Sequence, residues 1–437
     1  MPHRGSIGML ALGLVLRCTF AAAQTDVLET NAGVQFDFIN PGARSLALGG
    51  AFVGLADDAT AALTNPAGLT FLSKKEFSIE GRFRQFVTPY VSGGRVSGIP
   101  TGIGLDVTPV LQISESRQSA TSLSFLSFVY PANRWAVAAY RQQLTDFRAS
   151  QESQGPLVGV SGRFPPYRST LSLDIVRYGV SGAAKLGDHA SIGVGFTVYE
   201  FDITAEILRF DRPTQFAPSN FSSLFNRQTE TGAQRRTGVN IGFTATPTTH
   251  LQIGGVYRKG ARFNIAIGQS LQSSAAIARL TPGVFSVPDV YGFGIVLRPA
   301  NQLKLMVDYD WVRYSSMTGG FVVLSIPAPT ETPPRPSDFK IDDAHEVHAG
   351  LEYVLLRLAN PIAIRAGAWY DPDHALRFQP DTPQNASTFD STFFRKGTNV
   401  VHVTGGAGLS FRAFELNLAG DYSSRGSILS VSSVVRF

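Results

Sequence analysis

Apolar and polar residues alternate with period two through most of this chain, which puts one residue set on each face of an extended strand. From Phe414 to Tyr422, Phe414, Leu416, Leu418 and Tyr422 oppose Glu415, Asn417 and Asp421. From Leu303 to Trp311, Leu303, Leu305, Val307, Tyr309 and Trp311 oppose Lys304, Met306, Asp308 and Asp310. From Glu346 to Tyr353, Val347, Ala349, Leu351 and Tyr353 oppose Glu346, His348 and Glu352. Charges recurring on one face need water or partners, so that face lines a wet interior or meets bulk solvent. Such runs predict about fourteen strands, near 76–91, 120–130, 134–148, 171–186, 189–207, 233–246, 250–268, 287–298, 302–315, 341–356, 362–371, 396–411, 414–423 and 427–437.

The connections carry as much information as the strands. Short ones hold turn residues: Pro131-Ala132-Asn133, Gly187-Asp188, Pro247-Thr248-Thr249, Pro299-Ala300-Asn301, Asn360-Pro361 and Arg412-Ala413. Long ones, near 92–119, 149–170, 208–232, 269–286, 316–340 and 372–395, alternate with them until a last short link at Ser424-Arg425-Gly426. Long loops at one end, short turns at the other and an even strand count are the pattern of outer-membrane barrels. Tyr130, Trp135, Tyr309, Trp311, Tyr314, Tyr353, Tyr370 and Tyr422, near strand ends, suit interfacial girdles, whereas Trp369 alternates onto the polar face. The terminal Phe437 closes an alternating strand, as the assembly signal read by barrel assembly machinery does.

One stretch departs from the alternation. Asn40 to Leu72 is small, apolar and glycine-rich, precedes every strand, and holds Gly49, Gly50, the Asp57-Asp58 pair and Asn65-Pro66. Asp57-Asp58 ahead of Ala59 to Leu63 predicts a helix start capped by a carboxylate and ended before Pro66. Ahead of it, Arg4, an apolar run from Ile7 to Leu16 and Ala21-Ala22-Ala23 form a secretory signal with cleavage after Ala23. The expected organisation is therefore a signal peptide over 1–23, a compact segment over 24–75 and strands over 76–437.

Composition narrows the function classes. The chain is 43% hydrophobic, with 31 Phe, 13 Tyr and 43 Gly, yet after the signal no apolar run approaches the roughly 20 residues of a membrane-spanning helix. Cys18 is the only cysteine and leaves with the signal, which excludes disulfides, thiolate metal sites and a cysteine nucleophile. Net charge falls from +5 to +3 as Arg4 and Arg17 leave, and no basic stripe suited to nucleic acid is present. His345 and His348, three apart on a strand, face opposite sides and cannot share a metal; no G-x-S-x-G elbow appears, and Gly49, Gly50 and Gly54 lack dinucleotide-binding spacing. No catalytic residue, metal or cofactor is expected.

The sequence resembles the FadL/TodX group of outer-membrane transporters for long-chain fatty acids and other hydrophobic compounds. The residues that carry the likeness are Gly50-Ala51 through Ala56-Asp57-Asp58-Ala59, Asn65-Pro66-Ala67, Gly292-Phe293-Gly294, Leu305 to Trp311, Asp342 to Gly350 and Arg365 to Asp371. The resemblance implies an all-β fold: a fourteen-stranded antiparallel transmembrane barrel with the N-terminal segment as a hatch in its lumen. It further implies a monomer in the bacterial outer membrane, surrounded by lipid, that passes hydrophobic small molecules inward without nucleotide, and lateral release at a kinked third strand. Here that strand, Arg134 to Arg148, contains no Gly or Pro. The GARSLALGGAF portion also resembles accessory subunits of protein secretion, so a barrel that docks or escorts secreted proteins is the alternative function.

Candidate site residues follow. Phe210, Phe216, Phe221, Leu224 and Phe225 form either a capture surface on an external loop or a loop core of their own. In the next long loop Leu271, Ile277 and Leu280 belong to a helical pattern that could flank it. Gly49, Gly50, Asp57, Asp58, Asn65 and Pro66 are the hatch residues, anchoring it to the wall or gating it. Lys304 and Arg365 are the candidate lumen cations for a carboxylate ligand.

Overall fold

A computed structural model describes residues 33, 34, 36 and 38–437, apart from 104–105, 160–161, 213, 215, 272–278, 321–333 and 383–386; the signal segment lies outside these. Fourteen antiparallel strands form one closed ring. They are β1 (Glu76–Ser97), β2 (Leu111–Pro131), β3 (Trp135–Ser153), β4 (Tyr167–Lys185), β5 (Ala190–Phe210) and β6 (Leu224–Thr248). There follow β7 in two segments (Leu251–Arg258, Arg262–Leu271) and β8 in two segments (Arg279–Ser286, Val290–Ala300). The ring is completed by β9 (Leu303–Val312), β10 (Ala344–Leu355), β11 (Ile362–Asp371), β12 (Val400–Ser410), β13 (Phe414–Ser423) and β14 (Gly426–Arg436). Closure is between first and last strand, from Glu76 opposite Arg436 to Phe86 opposite Gly426.

The strands run further outward than alternation predicts. The expected connections 92–119 and 208–232 shrink to the residues between Ser97 and Leu111 and between Phe210 and Leu224. Beyond the lipid zone both strand faces are wet, so Ser, Thr and Gln occupy both parities and the period-two signal fades while the backbone ladder continues.

On the outer face, Ile79, Phe83, Phe128, Val194, Phe196, Ile241, Phe243, Ile295, Leu351, Leu418 and Val431 are exposed. This encircling apolar band favours hydrocarbon over water. Above it, Tyr291 stacks on Trp311 (5.0 Å) and meets a tilted Tyr257 (4.8 Å) as part of an aromatic girdle; at the short-turn end Tyr130 stacks on Trp135 under Lys75. Trp369 faces inward, as its parity requires, between His348 and His402 at 5.3 and 3.8 Å. No helix among the described residues is long and apolar enough to cross a membrane.

Residues 38–72 lie among the inward faces of the strands, and nearly every residue from Asn40 to Thr70 is buried. Two short helices, α1 (Ala43–Ala47) and α2 (Ala61–Thr64), precede a 3-10 turn over Pro66–Phe71. After α1 the chain reverses at Gly49 and Gly50 (φ 67° and 82°), a backbone that L side chains rarely adopt. The wall meets this segment with inward-facing glycines on β5 to β8 and β10 to β12. A Cβ at Gly350 would sit 2.6 Å from the Leu48 carbonyl oxygen, and one at Gly254 2.6 Å from that of Val53. Replacing Gly350 by Val should leave a barrel that still shows heat-modifiable migration, with a lower thermal midpoint reflecting roughly 1–3 kcal/mol of overpacking and a raised ion conductance. An unchanged midpoint would show that segment and wall are not in contact there.

Candidate functional site: an apolar chamber and its boundaries

Above the buried segment, inward positions of seven strands converge on a packed apolar cluster, which with the cavities beside it makes up an apolar chamber. Phe86 (β1), Leu144 and Phe147 (β3), Leu171 and Leu173 (β4), Tyr199 and Phe201 (β5), Phe263 (β7), Phe285 (β8) and Val312 (β9) belong to one buried cluster. The chain ahead of α1 rises into it: Phe36 and Phe38 stack at 5.5 Å and reach Phe285 and Tyr314 at 6.2 and 6.0 Å. Phe201 lies flat on Phe263 at 4.3 Å. An open cavity of about 500 Å³ adjoins the cluster, lined by Val34, Val87, Val91, Ile113, Tyr167 and Phe393, with Gln151, Lys396 and Arg425 supplying polarity. A smaller one of about 90 Å³ lies against Phe36, Phe38, Phe86 and Tyr314, with His374, Trp369 and His402 on its polar side. Such a cavity, mostly apolar with a few convergent polar groups, fits a hydrophobic small molecule.

The floor is fixed by polar anchors on opposite sides of the ring. Asn65 donates to the carbonyls of Val53 (3.1 Å) and Phe243 (3.0 Å), while its own oxygen accepts from the Ala67 amide and caps the turn begun by Pro66. Gln252 donates to the carbonyls of Gly54 and Leu55, Asn240 to that of Leu63, Ser181 to that of Ala62, and Thr404 to that of Ala47. The Val53 amide donates to Asp308 at 2.5 Å, and the carbonyls of Gly49 and Gly50 accept from His348 and Asn40.

The carboxylate-capped helix start expected at Asp57-Asp58 is not what forms. The Asp58 carboxylate accepts from the Thr60 amide (2.9 Å) and hydroxyl (2.6 Å), closing a turn before α2, whose flanking Thr60 makes no side-chain cap. Asp57 pairs instead with Arg44 (2.6 Å) and Lys304 (3.4 Å). Burial pushes both carboxyls up; at Asp57 the neighbouring Arg44 and Lys304 outweigh it and hold the group below its ordinary value, whereas Asp58 stays above its own.

The two proposed ligand cations are committed to the same cluster. Glu352 accepts from Arg44 (2.9 Å), Lys304 (2.9 Å) and Arg365 (2.7 Å), and Arg365 also donates to Asn417 (2.6 Å) and Glu415 (3.2 Å). Neither Lys304 nor Arg365 lines either cavity. Sequence reasoning also missed Arg177 of β4, which likewise lines neither cavity, is 4% exposed and has its guanidinium carbon 5.8 Å from the Tyr199 ring. Among the described residues no carboxylate pairs with it, and its Nε has no hydrogen-bond partner. Its strand position was legible, but its partners depend on cross-strand register.

The wall beside Arg177 is parted. Pairing of β2 with β3 runs from Pro131 opposite Ala136 to Phe125 opposite Gln142 and stops; above that, β3 pairs only with β4, where Gln142 faces Arg177. A bulge between Gln143 and Thr145 shifts the parity of β3: Ala136, Ala138, Tyr140 and Gln142 are buried below it, Phe147, Ala149, Gln151 and Ser153 above it. The kink therefore needs neither Gly nor Pro. Tyr140 and Phe147, an odd number apart, were its trace in the sequence. Gln143 donates to the Thr145 carbonyl (2.9 Å) and Asp174 (3.1 Å), and Arg141 reaches from Gln143 to the Leu123 carbonyl. Across the gap the Ser150 amide donates to the Ser116 hydroxyl at 3.0 Å.

The expected capture residues divide. Phe210 ends β5 and Leu224 and Phe225 begin β6, so only Phe216 and Phe221 lie on the loop. Phe210 and Phe221 meet edge to face at 5.2 Å under Arg168, and Phe216 is exposed. Leu271 belongs to β7 rather than to a helix, Leu280 is exposed on β8, and Ile277 and the rest of the expected helix lie outside the described residues. A more exposed apolar group was missed: Ile99, Ile103, Val107 and Val110 between β1 and β2, on a loop held by the Arg95–Asp106 ion pair. Phe437 is exposed, and its amide donates to the Lys75 carbonyl.

No family model and no curated protein sequence matches the chain. Solved structures do. A Pseudomonas aeruginosa FadL homologue is similar at 15% identity and a TM-score of 0.62, covering 92% of this chain and 99% of its own. The P. putida toluene transporter TodX (13%, TM-score 0.58) and the Ralstonia pickettii toluene transporter TbuX (16%, TM-score 0.56) match over the same shares. This chain has their fold.

Replacing Arg44 by Met would leave Asp57 and Glu352 short of a buried cation, a loss typically of about 3–5 kcal/mol. The expected result is a marked drop in thermal midpoint, partly restored by adding Glu352→Gln; no change in the single variant would remove the cluster as an anchor.

Proposed function

We propose that the protein is an outer-membrane transporter that admits hydrophobic small molecules passively, fatty acids or other hydrocarbons among them, and releases them sideways into the membrane. The observation that carries this reading is the apolar chamber, sealed below by residues 40–72 and bordered at its own height by the parted β2–β3 wall. A molecule in the chamber finds tightly packed protein underneath and a gap in the ladder beside it. Residues 24–75 act as the hatch, with Gly49, Gly50, Asp57, Asp58, Asn65 and Pro66 as its anchoring residues. External capture falls to Phe216, Phe221 and Leu280, and to the exposed aliphatics between β1 and β2. Arg177 meets the polar end of an acidic ligand. The neighbours named as toluene transporters support an uncharged hydrocarbon as ligand too. The molecule works as a monomer without a chemical step, exported by its signal peptide and assembled through Phe437.

Uptake of radiolabelled oleate and toluene by cells with and without the gene tests the reading, and equal uptake of both would overturn it. Bridging Ser116→Cys to Ser150→Cys with a short bifunctional thiol reagent should abolish uptake while leaving binding intact. Arg177→Met should weaken oleate binding by about tenfold or more, the worth of a charged hydrogen bond, and leave toluene binding unchanged.

A further inference from the structure

The ring is parted at a second place, four strands from the first. β6 and β7 pair from Thr248 opposite Leu251 up to Asn240 opposite Arg258, and again from Thr231 opposite Ala266. Between these ladders, residues 232–239 of β6 face residues 259–265 of β7 without register pairing. Three bonds cross the interval. The Lys259 amide donates to the Val239 carbonyl (2.8 Å), the Asn264 amide to the Gln234 side-chain oxygen (3.0 Å), and the Tyr199 hydroxyl reaches from β5 to the Lys259 carbonyl (2.9 Å). Two of the three depend on a side chain.

The interruption is coordinated with the next strand. β7 and β8 both break at this height, over 259–261 and 287–289, and are rejoined by the Val287 amide to the Ala261 carbonyl and the Gly260 amide to Asp289. Gly232, Gly238 and Gly260 place no side chain in the seam, but the strands stay close across it: a Cβ at Gly238 would sit 2.7 Å from the Lys259 carbonyl oxygen and one at Gly232 2.9 Å from Ile265 Cγ2, while Gly260 faces the backbone of Val287 and Pro288. Its lumen side is closed by Tyr199 and by Phe201 stacked on Phe263, which belong to the packed part of the apolar chamber and line neither cavity. Its outer side lies just above Val239, Ile241 and the Tyr257–Tyr291–Trp311 girdle, the level of outer-leaflet head groups. Arg236, Lys259 and Arg262 are exposed around it. Arg236 holds an inward position opposite Tyr199, yet its side chain is exposed and donates to the Arg235 carbonyl.

We propose that this seam is a second lateral opening, latched by Tyr199, through which the chain of an anionic amphiphile lying in the outer leaflet enters the chamber. The head group stays at the mouth with Arg236, Lys259 and Arg262, and the aliphatic chain passes between Gly238 and Gly260 once the Tyr199 bond is released. The route rests on the chamber being the ligand site, but not on the β2–β3 gap being its exit.

The test uses the full-length protein in phosphatidylglycerol or phosphatidylcholine nanodiscs, with a benzophenone side chain in place of Phe263, irradiated and examined by mass spectrometry for lipid adducts. Adducts are expected in phosphatidylglycerol, rising at least fivefold with Tyr199→Phe, lower in phosphatidylcholine, and lost when Gln234→Cys and Asn264→Cys are bridged by a short thiol reagent. The label at Phe243, on the lipid face, should react in every case, and at Phe52, in the hatch, in none. Absence of lipid adducts at 263 in both backgrounds, with Phe243 reacting, overturns the proposal, as does an adduct that survives the 234–264 bridge. Because the readout is lipid contact rather than uptake, it can fail while the transport function stands.

Discussion

In hydrocarbon every backbone amide and carbonyl must find a partner within the protein, and the closed ladder from β1 to β14 is the answer this chain adopts. The rest of the architecture follows from it. Interruptions are confined to places where something else satisfies or hydrates the freed groups: the β2–β3 gap begins only above Phe125 and Gln142, and the β6–β7 seam only above Asn240 and Arg258. Beneath both, where Phe128, Ile241 and Phe243 meet lipid, pairing is continuous.

Closing fourteen strands creates the second constraint, a lumen wider than wall side chains can fill. Here the wall lets a separate backbone come close. Gly254 and Gly350 bring Val53 and Leu48 against the strands, and the polar groups carried inward on that backbone are answered by Gln252, Asn240, Ser181, Asp308 and His348. The charged group around Glu352 has the same logic with higher stakes, since Glu352 and Arg365 are too buried to stand alone.

The strands in the lipid zone were legible because lipid outside and polar groups inside force strict alternation; Val307 against Asp308 and Val347 against His348 leave no ambiguity. The inward turn of Trp369 and the opposed faces of His345 and His348 could be read for the same reason. What could not be read depended on register between distant strands. Lys304 and Arg365 looked available as single residues, but cross-strand neighbours consume them, while Arg177 looked ordinary and has no carboxylate beside it among the described residues. The bulge of β3 left only a change of parity between Tyr140 and Phe147, and the outer ends of β1 and β6 left no alternation to read. The helix start at Asp57-Asp58 misled because a carboxylate before an alanine run serves an isolated helix well, whereas here Arg44 competes for it.

The closing pair of strands sets the order in which the molecule can be made. Glu80 accepts from Ser430 across 350 residues of sequence, and the Phe437 amide bonds back to Lys75 just ahead of β1. No ring exists until the final residues arrive, so the most distant partners in the chain form the joint on which all others depend, and contacts of such range are slow to form. Residues 40–72 leave the ribosome before every strand, yet Glu80, which holds the Gly42 amide, gains its Ser430 partner only at that last step. A segment synthesised ahead of every strand is thus among the last to reach its final environment, and until then its apolar helices and the open edges of β1 and β14 need a keeper.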